Sequence, residues 1–136
     1  MNSSVNTNFR TVQQVKDLFT KAMNNAGIIS SHYIKASGEI ERFHIEGQKK
    51  GSNNGWAVLN ISGRCAFGAF GDWVSGYQSE WTEMSEDQMP PEEYKKFRDE
   101  QTAHRLKIRE EKKKYQEQSK REALKVFDDL KPLIDH

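Results

Sequence analysis

Aromatic and basic residues follow one another along the middle of the chain in a pattern that suits contact with a single-stranded nucleic acid. Lysine and arginine neutralise phosphates, and aromatic side chains stack on unpaired bases. We therefore predict a binding site for single-stranded DNA or RNA. Its phosphate-neutralising residues are Arg42, Lys49, Lys50 and Arg64, and its stacking residues are Trp56, Trp73 and Tyr77.

The same aromatic residues could instead form the core of a small sheet. Residues 63–81 hold four glycines and five aromatic rings in nineteen positions, which is typical of strands that pack closely. Because Trp73 and Tyr77 lie beside a glycine turn, we expect them to be more exposed than Phe67 or Phe70. For Lys49 and Lys50 the alternative is ordinary solvated loop charge.

The chain offers little that would support catalysis. Its four histidines are dispersed without a metal-ligand spacing, and Cys65 is the single cysteine. Asp72, between a glycine and a tryptophan, is typical of a turn residue that binds its own backbone. We expect no catalytic residue, no metal and no cofactor, and thus a protein that is not an enzyme.

Length and hydropathy indicate one cytoplasmic domain. The 136 residues are enough for a single core, and no apolar run approaches the roughly 18 residues that a membrane span requires. The N-terminus also lacks the charged and apolar regions of a signal peptide. We expect a cytoplasmic protein with no membrane partner.

The pattern of elements predicts an α+β fold with an N-terminal helix on an antiparallel sheet. Thr11 and Gln14 form a capping box, apolar residues then recur at helical spacing, and Gly27 follows as a C-terminal cap. The period then changes to that of strands. Short strands are predicted at 28–29, 40–45, 56–61 and 64–70, with one more ending near Trp81, and the clearer ones form a meander of about four strands.

A long charged helix is predicted after Pro90 and Pro91, ending near Leu130. Between Glu92 and Lys125 there are twelve Lys or Arg residues and eight Asp or Glu residues. Because its seam positions include several polar residues, we expect weak self-association at most. The predicted organisation is a disordered segment at 1–10, an α+β body at 11–84 and a helical extension at 85–136.

The order of these motifs resembles the N-terminal domain of DNA primases and primase-helicases carried by phages and plasmids. In those proteins a long charged helix leads into a Toprim catalytic domain, which this chain lacks. The resemblance implies an accessory, non-catalytic module that holds single-stranded template. The segments that carry it are 38–47, Lys49 and Lys50, 55–59, 70–73, Gly76 and Trp81.

A protein partner is the alternative to a nucleic acid. A phage could use a free-standing copy of such a domain to inhibit a host defence or replication complex. The exposed aromatic residues would then anchor in a pocket of that complex. The sequence leaves this alternative open.

Overall fold

The computed structural model describes residues 11–61, 66–83 and 89–134, with side chains described as far as Val126. The described residues form two compact units, one that ends at His104 and one that begins at Arg105. The first unit therefore continues past residue 84, where the sequence predicted the body to end. The predicted disordered segment at 1–10 lies outside the described residues.

The predicted α+β class is confirmed. An N-terminal helix precedes four strands in one antiparallel sheet, in the order β1-β2-β3-β4, and a long helix follows. No helix in the described ranges is both long and apolar enough to cross a membrane. The elements are α1 (Val12–Asn25), β1 (Glu41–Phe43), β2 (Gly55–Asn60), β3 (Phe67–Asp72), β4 (Gln78–Thr82) and α2 (Pro91–Ile134).

Helix α1 begins and ends as the sequence predicts. The Thr11 hydroxyl accepts a hydrogen bond from the Gln14 amide at 3.1 Å, and the Gln14 side chain accepts one from the Thr11 amide at 2.9 Å. Gly27 follows the helix with a φ of +86°, a left-handed conformation that glycine adopts without steric cost. The helix buries Val15, Phe19 and Met23 against the sheet.

One face of the sheet packs on α1. Phe19 is fully buried and meets Phe70 edge-on, with ring centroids 5.6 Å apart, and meets Trp81 in the same way at 5.4 Å. Ala57 and Leu59 of β2 belong to the same core. Packing on α1 thus fixes which residues of each strand face inward, because alternate side chains point to opposite faces.

The opposite face of the sheet is covered by the start of α2. Phe67 of β3 packs with Met89 and Phe97, and its ring lies 4.8 Å from that of His104. Asn60 donates a hydrogen bond to a carboxylate oxygen of Glu100 at 2.7 Å. Strand β2 is buried from Gly55 to Leu59.

The strand boundaries differ from prediction at several points. Ile28 is buried but Ile29 is 46% exposed, and the segment is not a strand. Strand β1 is shorter than the predicted 40–45, and β3 begins three residues later than the predicted 64–70 and ends two residues later. Local alternation identifies the strands, but pairing with neighbours decides where they end.

Helix α2 matches its predicted start and runs slightly beyond its predicted end. Pro91 is its first residue, where a proline loses no helical hydrogen bond. From Arg105 to Val126 most of its side chains are exposed, and Glu111 pairs with Lys114 at 3.7 Å. An exposed pair of this kind stabilises a helix by only about 0.3–0.5 kcal/mol.

Strands β2 and β3 pack a tryptophan directly against a glycine. Trp56 lies opposite Gly71 in the strand register. A Cβ atom on Gly71 would lie 2.7 Å from the Trp56 ring and closer still to the carbonyl oxygen of Tyr77. The indole of Trp56 therefore occupies the space that any side chain at position 71 would need.

We predict that Gly71→Ala lowers the free energy of unfolding by about 1–3 kcal/mol, because the added methyl group overpacks this contact. Urea denaturation followed by tryptophan fluorescence measures the loss. Gly51→Asn is the matched control, since nothing lies within 4 Å of a Cβ there and asparagine tolerates its φ of +84°. Equal stability of the two variants would contradict the packing described here.

Candidate nucleic-acid interface

Two connections of the meander lie at the same end of the sheet. The loop between β1 and β2 and the turn between β3 and β4 meet there, as alternate connections of an antiparallel meander do. The Gln48 side chain donates a hydrogen bond to Oδ2 of Asp72 at 2.9 Å, and the Trp73 amide donates to the Asn54 carbonyl at 2.9 Å. We call residues 46–54 and 72–77 together the loop end.

Asp72 organises the turn of the loop end. Its Oδ1 accepts a hydrogen bond from the backbone amide of Val74 at 2.9 Å. Its Oδ2 accepts one from the Ser75 hydroxyl at 3.2 Å and one from the side-chain amide of Gln48. This is the turn geometry that the sequence predicts for an aspartate after a glycine. With three donors on one carboxylate, Asp72 fixes the turn against the loop.

The loop is held by further hydrogen bonds of its own. The Arg42 guanidinium donates through Nε and Nη2 to the Asn53 carbonyl, at 3.1 and 2.7 Å. The Ser52 hydroxyl donates to the Lys49 carbonyl at 2.6 Å, and Nδ1 of His44 lies 2.8 Å from the Ser52 carbonyl oxygen. Arg42 therefore supports the backbone that carries Lys49 and Lys50.

The predicted basic residues and one aromatic residue are accessible at this end of the sheet. Arg42, Lys49 and Lys50 are exposed, and the Tyr77 side chain is 44% exposed. Arg64 lies outside the described residues. The structure thus brings together four of the seven predicted site residues, from positions that span 36 residues of sequence.

The prediction that Trp56 and Trp73 stack on bases is not compatible with their burial. Trp56 is fully buried and Trp73 is 8% exposed. The two indoles stack on each other, with centroids 4.9 Å apart and planes 18° from parallel. Trp73 is more exposed than Phe67 and Phe70, as expected, but only slightly, at 8% against 3% for each, because its ring stacks on Trp56.

Strand alternation alone does not predict that residues of α2 pack on the second face of the sheet. Alternation shows which residues share a face, but it does not show whether another element packs on that face. Here the second face is occupied by Phe97 and His104, which belong to a helix that reads as mainly polar. Trp56 and Trp73 are buried as well, and their rings stack on each other.

Sequence reasoning also missed a cavity at the loop end. It has a volume of about 280 Å³, which is below the range of about 300–1,000 Å³ for sites that hold drug-sized ligands. No local signal predicts it, since Gln48 and Asp72 are far apart in the chain. Its lining residues are Ala26, Gly27, Ile28, Ile45, Glu46, Gly47, Gln48, Asp72, Ser75 and Tyr77.

A second cluster of ionisable side chains lies beside β1. Nε2 of His32 is 2.7 Å from Oε1 of Glu41, and the His32 ring stacks on Phe43 with centroids 5.3 Å apart. The Glu41 carboxylate also accepts the amides of Lys35 and Ala36, at 3.0 and 3.2 Å. These bonds tie the segment before β1 to the sheet, which is a structural role.

Within the ranges that the structure describes, no group of three His, Cys, Asp or Glu residues is placed to hold a metal ion. The chain matches no protein-family model, no curated protein and no solved structure. The resemblance to the primase domain therefore stays a prediction.

Proposed function

We propose that this protein is a non-catalytic domain that binds single-stranded nucleic acid at the loop end. The observation that carries the proposal is the placement of Lys49, Lys50 and Tyr77. All three are exposed, and they lie on two connections that the bond between Gln48 and Asp72 holds together. Cations beside an accessible ring are what a strand needs for phosphate neutralisation and base stacking.

Because Trp56 and Trp73 are both buried, the interface has fewer aromatic rings that can stack on bases. Tyr77 is the remaining predicted ring with an accessible face, so the loop end provides a stacking position for one base. One stacked base is worth about 1–3 kcal/mol, and the rest of the affinity comes from phosphate contacts. We therefore propose a weak, salt-sensitive binder. In line with the resemblance, it would act as an accessory that holds template for the primase of a mobile element.

A protein partner remains the second candidate, and one observation favours it. Val74 is 63% exposed on the same turn as Tyr77, so an aliphatic and an aromatic side chain are both accessible there. Exposed apolar and aromatic side chains can anchor in a partner's pocket. Under this proposal the turn would bind a replication or defence complex, and the lysines would lie at the rim of that contact.

We predict that Tyr77→Ala weakens binding of a fluorescein-labelled single-stranded DNA by about 1–3 kcal/mol, because the stacked base loses its platform. Fluorescence anisotropy at low salt measures the change. Tyr77→Phe keeps the ring and should bind as the unaltered protein does. Tyr33→Ala is the matched control, since Tyr33 is 60% exposed and lies beside Lys16 of helix α1. If the Tyr33 and Tyr77 variants lose affinity equally, Tyr77 is not a stacking residue.

We also predict that the double substitution Lys49→Gln and Lys50→Gln reduces the salt dependence of binding. Each phosphate contact on a single strand contributes about 0.7 to the slope of log K against log salt, so the slope should fall by about 1.4. The matched control is Lys112→Gln with Lys113→Gln, two exposed lysines of helix α2. An equal fall in the control would place the strand on the helix. Absence of salt-sensitive binding in every form would favour the protein partner.

A further inference from the structure

The cavity at the loop end is lined by polar residues, by the aromatic residue Tyr77 and by the apolar residues Ala26, Ile28 and Ile45. The polar side chains that line it are Glu46, Gln48, Asp72 and Ser75, and Tyr77 forms part of its wall. Lysine and arginine do not line it. The cations of the loop end, Lys49 and Lys50, are exposed on the same loop but outside the cavity.

Most of these polar groups are already engaged. The Asp72 carboxylate accepts three hydrogen bonds, and the Gln48 side chain donates to Asp72 and accepts from Asn54 at 3.3 Å. The Glu46 carboxylate differs from them, since no side-chain hydrogen bond or ion pair joins it to a residue in the described ranges. Glu46 is exposed and lines the cavity, and an ionised carboxylate is an acceptor only, so Glu46 can receive N–H donors from a ligand there.

We infer that this cavity holds one unpaired base of the bound strand, stacked on Tyr77, with Glu46 accepting hydrogen bonds from the edge of the base. The inference rests on the proposed function and adds a base preference to it. Lys49 and Lys50 neutralise the phosphates that flank the base outside the cavity. Glu46 lines the cavity, whereas Lys49 and Lys50 do not. A nucleotide has a matching arrangement, since its base edge carries N–H donors and its phosphate, at a distance from that edge, carries the negative charge.

The chemistry of base edges sets the preference. Guanine presents an imino and an amino group side by side, and the two oxygens of one carboxylate can accept from both. Cytosine and adenine each offer one amino group, and a carboxylate accepts readily from the amino group of cytosine. Thymine offers a single imino group between two carbonyl oxygens that a carboxylate repels. The expected order is guanine first, cytosine and adenine next, and thymine last.

The test compares labelled thymidine hexamers that carry guanine, cytosine, adenine or thymine at the third position, by anisotropy at low salt. The guanine hexamer should bind at least about fivefold more tightly than the all-thymine hexamer, as expected for one two-bond base contact. Glu46→Gln should reduce this ratio to within about twofold, because it removes the charge and one of the two acceptors. Glu92→Gln removes an exposed carboxylate of helix α2 and should leave the ratio unchanged.

Each other outcome overturns the inference in a recognisable way. Equal binding of all four hexamers by the unaltered protein refutes the base preference and leaves the proposed function intact. Tighter binding of every hexamer by the Glu46→Gln variant, without a change in the ratio, shows that Glu46 only repels the strand. Saturable binding of arginine amide without selection among hexamers assigns the cavity to a cationic side chain of a protein. No binding of any hexamer refutes the proposed function as well.

Discussion

The contact between Trp56 and Gly71 is the constraint on which the loop end depends. Trp56 lies opposite Gly71 in the pairing of β2 with β3, and its ring uses the space left by the absent side chain. Trp73 then stacks on Trp56, and its backbone amide binds the Asn54 carbonyl. The stacking and the hydrogen bond hold the turn at 72–77 against the loop at 46–54. Tyr77 therefore lines the same cavity as Gln48 and Asp72.

This packing determines which aromatic residues are buried in the core and which one stays accessible to a ligand. Trp56 and Trp73 use their flat surfaces on each other, so they stabilise the site without being available to a ligand. Tyr77 remains partly exposed because it lies after the turn, where its ring is 6.5 Å from Phe70 at the margin of the core. With both indoles buried and a single predicted ring accessible, the loop end offers little area for stacking on bases. The proposed binding is accordingly weak and dependent on charge.

The sequence predicts the fold more completely than it predicts the site. The capping box at Thr11, Gly27 and Pro91 are local signals with local causes, and the structure confirms each of them. The packing of Trp56 involves instead Gly71 across the sheet and Trp73 beyond the end of β3. The bond between Gln48 and Asp72 likewise joins residues 24 positions apart, and neither has a pattern that predicts the other. Whether a side chain is exposed, and which distant residues lie beside it, depend on tertiary packing. These two properties decide which candidate residues can contact a ligand.

The most direct test of the account is to map the interface on the protein itself. A titration of nitrogen-15-labelled protein with a mixed-sequence single-stranded hexamer at low salt would follow every backbone amide. The account predicts that the largest shifts fall in residues 46–54 and 72–77, with Tyr77 and the amides beside Lys49 and Lys50 among them. Shifts confined to residues 105–126 of helix α2, or no shifts at all, would contradict the claim that the loop end binds the strand.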